Sequence, residues 1–97
     1  MVTQQEITAL KDPYSNQLQL FPNPVSNYLI LKVENEYHGP LNLIIRDITG
    51  KKIGSKQYQK YSQFFERSID LLAYTSPVII IELIFEDNRI VRRVVME

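Results

Sequence analysis

The sequence predicts an all-β fold, an antiparallel sandwich of about seven strands, and three observations carry that reading. Apolar residues recur at every second position over several short stretches, which is the period of a half-buried strand. Gly, Pro, Asn and Asp separate those stretches at short intervals. No segment shows the 3.6-residue period of an amphipathic helix. Two stacked sheets each bury one face, which suits strands that are apolar on one side. The expected architecture is immunoglobulin-like, and a small open barrel is the competing one.

Residues 1 to 17 are polar and contain Pro13 and a Tyr-Ser-Asn turn cluster, so they read as a linker or tail. The domain proper is expected over 18 to 97. Leu18 to Phe21 forms a short first strand, and Phe21, Pro22, Asn23 and Pro24 follow as a stiff corner. Proline fixes its own φ and pushes the residue before it into extended geometry, so Phe21 and Asn23 are held out of helix.

Tyr28 to Val33 then alternates, with Leu29, Leu31 and Val33 inward. Glu34 to Pro40 reads as a turn ending in a Gly-Pro breaker, and Leu41 to Ile45 alternates again. Asp47 to Lys52 reads as a tight hairpin in which Asp47 bonds nearby amides and Gly50 supplies a positive φ. Ile53 to Tyr61 is weakly apolar and fits an edge strand, with Lys56 and Lys60 discouraging further pairing. Phe64 to Leu71 is the next strand. Val78 to Phe85 is apolar on both faces except at Glu82 and is expected to be central and the most buried. Glu86 to Asn88 turns the chain into a last strand, Arg89 to Met96.

Composition narrows the function classes. Ninety-seven residues make one domain, and 44% apolar content supports a modest core. Eleven basic residues balance eleven acidic ones, which argues against nucleic acid as a partner. No apolar run is long enough for a membrane span. The first residues lack the basic and apolar regions of a signal peptide, so the chain is either cytoplasmic or a piece of something longer. There is no cysteine, hence no disulfide, thiolate metal site or cysteine nucleophile.

Candidates for chemistry are sparse. The one histidine, His38, lies in a loop with no second ligand at metal spacing. Glu86 and Asp87 are adjacent acids without the alternating pattern of a calcium loop. Ser62, Ser68 and Ser76 lack a glycine elbow, and three glycines in all form no phosphate cradle. Tyr58, Tyr61, Phe64 and Phe65, near Lys56, Lys60 and Arg67, are the only candidates for a stacking platform; such residues are more often core plus amphipathic surface. The expectation is a protein that is not an enzyme and needs no cofactor and no metal.

In order and spacing these pieces resemble the C-terminal sorting domain of the type IX (Por) secretion system, over about residues 18 to 97. The resemblance rests on FPNPVSNYLIL from Phe21 to Leu31, LIIRDITGKKI from Leu43 to Ile53, Ile69-Asp70-Leu71, a strongly apolar strand, and RRVV from Arg92 to Val95. The chain departs from the family pattern after Leu71: Tyr74 stands for a leucine, Pro77 for a glycine and Ile79 for a tyrosine, and Met96 replaces the usual closing lysine.

The resemblance implies an immunoglobulin-like sandwich that acts as a folded export signal. Its partners would be an N-terminal passenger, an outer-membrane translocon and a sortase-like protease that cuts in the linker. The route implied is export through the periplasm to the cell surface or the medium. Arg92, Arg93, Val94 and Val95 are the expected recognition residues, while Pro22, Asn23, Pro24, Asp47 and Gly50 are expected to shape the fold. The competing function is an immunoglobulin- or fibronectin-like accessory module that binds carbohydrate or protein.

Overall fold

A computed structural model describes residues 17–97, and its regular structure is all β. The strands are β1 (Leu18–Phe21), β2 (Tyr28–Glu34), β3 (Gly39–Asp47), β4 (Lys52–Lys60), β5 (Phe64–Asp70), β6 (Val78–Phe85) and β7 (Asn88–Val95). They form two antiparallel sheets, β1-β2-β5 and β4-β3-β6-β7. The linker read over residues 1 to 17 lies, except for Gln17, outside the described residues. Gln17 itself is tied down: its carbonyl accepts the Glu34 amide at 2.9 Å, and its side chain accepts from Asn35 Nδ2 at 3.1 Å.

The alternation seen in the sequence builds the core between the sheets. Leu29, Leu31 and Val33 of β2 and Phe65 and Ile69 of β5 face Leu41, Leu43 and Ile45 of β3. Leu18 of β1, Ile79, Ile81, Leu83 and Phe85 of β6, Ile90 and Val94 of β7, and Val25 and Leu71 complete it. A fully buried aliphatic side chain contributes roughly 1.5–3 kcal/mol, so this layer supplies most of the driving force.

Two local details differ from expectation. Gly39 and Pro40 open β3 instead of ending a turn. The strand has only β4 as a neighbour there, because pairing with β6 starts at Asn42, and a proline costs little at such an edge. Lys60 does not guard the edge of β4 in solvent: it is fully buried. It shares the inward parity of Tyr58, and its Nζ donates to the carbonyls of Asn35 (2.9 Å), Tyr37 (2.8 Å) and Ser62. Burial pushes its pKa below the ordinary lysine value. Lys56 stays exposed on the edge strand.

β6 is flanked by β3 and β7, as its composition suggests. Its outer face holds Ile80 and Ile84, both half-buried, on either side of Glu82. Glu82 is buried because arginines on the two neighbouring strands fold over it: Arg46 Nε donates at 3.0 Å, and Arg89 pairs with its other oxygen. Both arginines are diagonal cross-strand neighbours, within reach for long side chains.

The Asp47 hairpin forms as its residues dictate. One carboxylate oxygen accepts from the Thr49 amide (2.9 Å), the Thr49 hydroxyl (2.6 Å) and the Lys51 amide (3.0 Å), and Gly50 takes φ +92°. The Thr49 hydroxyl bond, more than any other influence, holds the Asp47 carboxyl below its ordinary pKa. A depressed pKa means stability present above the unfolded carboxyl's range, near 3.9, and lost as pH falls through the folded value. Chemical denaturation from pH 5 down to pH 2 should therefore show a loss that Asp47→Asn reduces. An unchanged pH profile in the variant would show that the turn carboxylate carries none of it.

Candidate functional site

The most distinctive surface of the domain is the free edge of β7. Phe85 and Asn88 close a two-residue loop, so that pair and every second pair beyond it exchange both backbone bonds. The Met96 amide, which donates to the Pro77 carbonyl at 2.8 Å, keeps the same parity. Asn88, Ile90, Arg92 and Val94 therefore spend their backbone groups on β6, while Arg89, Val91, Arg93 and Val95 turn theirs outward. Among the described residues no strand lies beyond β7.

The Phe-Pro-Asn-Pro corner closes one end of that edge. Asn23 Oδ1 accepts the outward Val95 amide at 3.0 Å, across 72 residues of sequence. The Val25 amide donates to the Val95 carbonyl at 2.9 Å, and the Val25 carbonyl accepts the Glu97 amide at 2.7 Å. Val25 and Met96 form a parallel bridge, and Val25 is fully buried. Both X-Pro bonds of the corner, Phe21-Pro22 and Asn23-Pro24, are cis. The open part of the edge is thus reduced to Arg89, Val91 and Arg93. Arg92 reaches round to the middle of it, donating from Nη1 to the outward Val91 carbonyl at 3.1 Å.

Strand alternation separates the residues singled out from sequence. Val94 faces inward and is buried, so its side chain is not available to a docked partner. Arg92 shares its parity, on the rim between the sheets. Arg93 and Val95 lie on the opposite, outer face together with Arg89 and Val91, all four exposed. Of the other motif residues, Ile69 and Leu71 are core, and the Leu71 amide donates to the Asn27 carbonyl at 2.8 Å. Asp70 accepts the Leu72 amide at 2.8 Å, ending β5, and Phe21 is a partly exposed member of β1.

The departures from the family pattern are absorbed by packing. Ile79 is fully buried in the core. Pro77 offers its carbonyl to Met96, and Tyr74 packs on the core over Gly54. A Cβ at Gly54 would sit 2.1 Å from the Tyr74 hydroxyl, so Gly54 and Tyr74 belong together.

The remaining candidates for chemistry stay apart. Tyr58 is half-buried edge-to-face on Phe65 at 5.4 Å, and the Arg67 guanidinium covers Phe65 at 4.4 Å. That leaves Tyr61 and Phe64 as the exposed rings of the proposed platform. Phe64 borders a cleft of about 330 Å³ on the three-stranded sheet, shared with Gln19, Lys32, Glu34 and Glu66. His38 Nδ1 lies 2.9 Å from the Glu36 carbonyl. Glu86 and Asp87 form the β6–β7 loop, with Glu86 at φ +53°. Among the described residues no three His, Cys, Asp or Glu converge as a metal site, and no helix is long and apolar enough to cross a membrane.

Sequence reasoning missed the clip between Asn23, Val25 and the end of β7. An amide flanked by two prolines, and so held out of helix, was the available signal. Its acceptor role becomes visible only when the first and last strands are brought together.

Compared with protein families, residues 19–97 match the model described as secretion system C-terminal sorting domain. No curated protein matches the chain.

Proposed function

Because the chain belongs to the family of type IX secretion C-terminal sorting domains, a role in sending a protein to the cell surface or the medium, we propose that it works as a folded, non-catalytic address label. On this reading an N-terminal passenger crosses the periplasm attached to the domain. The outer-membrane translocon binds the domain, and a sortase-like protease then removes it by cutting within residues 1 to 17. The domain is ligand and substrate of that machinery, and it supplies no catalytic group.

The observation that carries the reading is the edge of β7. Arg89, Val91 and Arg93 keep their backbone groups outside the ladder with β6, the Val91 carbonyl being met by Arg92, and strand addition at such an edge gives affinity through the backbone and selectivity through side chains. Natural sheets normally protect their edges, so an open one bounded by a dedicated clip suits a docking role. Asn23, Pro24 and Val25 act in this reading by holding β7 in place. Asp47, Gly50, Ile69 and Leu71 act by holding the sandwich together.

The test is a signal peptide and reporter fused ahead of residues 1–97 and expressed in a host with a type IX system. Mass spectrometry of the exported reporter should find the sandwich gone and a new end within residues 1 to 17. A version lacking Arg89–Glu97 should stay in the periplasm. Export of that truncated version at the full rate would overturn the role given to β7.

A further inference from the structure

We infer that the open edge of β7 is built for an acidic strand: an extended partner segment whose side chains alternate acidic, apolar, acidic. This inference rests on the sorting reading and specifies the chemistry of the partner. The residues whose backbone groups face outward, Arg89, Val91 and Arg93, also place their side chains on the outer face of the sheet. A strand added to this edge sets its own side chains directly opposite them on that face. The local pattern is cation, apolar, cation, so the complementary strand carries an acid, an apolar residue and an acid.

Charge supports this further. Arg93 is exposed and has no ion pair among the described residues. Arg89 is held along the sheet by Glu82, a single buried carboxylate that it shares with Arg46. Like charges directly opposite are unfavourable in a sheet, so a basic strand is rejected. The clip on Val95 adds register: an incoming strand has only the stretch 89–93 to pair with, and cannot slide toward the end of β7.

The chain itself has an acidic edge. The Leu71 amide donates to the Asn27 carbonyl and the Asn35 amide to the Gln63 carbonyl, so Glu66, Ser68 and Asp70 of β5 turn outward, with the two acids four residues apart. A second copy docking β5 on β7 is therefore the alternative occupant. β5 carries a guard like that of β7: Arg67 donates to the outward Glu66 carbonyl at 2.7 Å. That obstacle favours a foreign strand.

The experiment uses residues 1–97 labelled for NMR and two capped peptides, Glu-Thr-Val-Thr-Glu and Lys-Thr-Val-Thr-Lys, at low ionic strength. The acidic peptide should shift the amides of Arg89, Val91 and Arg93 and bind roughly tenfold more tightly than the basic one. Arg93→Glu should narrow or reverse that preference, and salt should weaken it. Equal binding of the two peptides, or shifts confined to β4 or β5, would overturn the inference. So would a concentration-dependent dimer with shifts on both β5 and β7, which assigns the edge to a second copy. The outcome is separable from the sorting reading: export that depends on β7 while the peptides go undistinguished defeats only this inference.

Discussion

Lys60→Met should lower the unfolding free energy by about 3 kcal/mol, the largest stability loss expected from one side chain outside the hydrophobic core. An ammonium group has three donors and no acceptor, and here all three protons meet backbone carbonyls. Those carbonyls belong to the β2–β3 connection and to the turn between β4 and β5, so Lys60 pins two loops that carry no apolar anchor of comparable depth. Methionine keeps the length of the stem and removes only the donors. Each buried acceptor left unpaired costs about 1–3 kcal/mol, reduced where water can follow. For a domain of this size 3 kcal/mol lowers the thermal midpoint by roughly 15 °C. Lys56→Met on the exposed part of the same strand should stay within about 0.5 kcal/mol of the parent. Chemical denaturation decides it: a Lys60→Met midpoint as close to the parent as that of Lys56→Met would show that the three bonds contribute nothing net.

Val91→Pro should reduce export to the level of a host without the translocon while leaving the domain folded. Proline lacks the backbone N–H, and at most strand positions that removes a ladder bond. At Val91 the amide points away from β6, so the bonds to β6, made by Ile90 and Arg92, are retained. The substitution therefore removes a donor from the open edge and little else. Its cost in stability should be about 1 kcal/mol, from the narrower φ of proline and the loss of the valine side chain. Arg93→Pro has the same parity and should behave alike, whereas Ile90→Pro breaks the ladder and should unfold the protein. Circular dichroism melting beside the export assay distinguishes these cases. Full export of a folded Val91→Pro protein would show that backbone pairing at this edge is not how the domain is read.

The strands were legible because each rests on a local signal. Alternation placed Leu29, Leu31 and Val33 and then Leu41, Leu43 and Ile45 inward, and burial agrees at all six. The Asp47–Gly50 turn was legible for the same reason, since its hydrogen bonds span only a few residues. Lys60 was misplaced because lysine on a polar strand looks solvated. Its burial depends on three carbonyls that reach it from other parts of the chain. Arg92 and Arg93 read as one basic pair in sequence, and the pleat sends them to opposite faces. The Asn23 clip was the least legible, because the donor that the Asn23 side chain accepts is 72 residues away. Local patterning fixes where strands run, and the candidate site arises where the first corner meets the last strand.

The sorting role is measured most directly by the amount of reporter that reaches the surface or medium when the intact fusion, residues 1–97 behind a signal peptide and a reporter, is expressed in otherwise identical strains with and without a working type IX translocon. Export is expected only in the competent strain. A folded, intact fusion that remains in the periplasm of that strain would contradict it, and glycan binding through Tyr61 and Phe64 would then be the function to test.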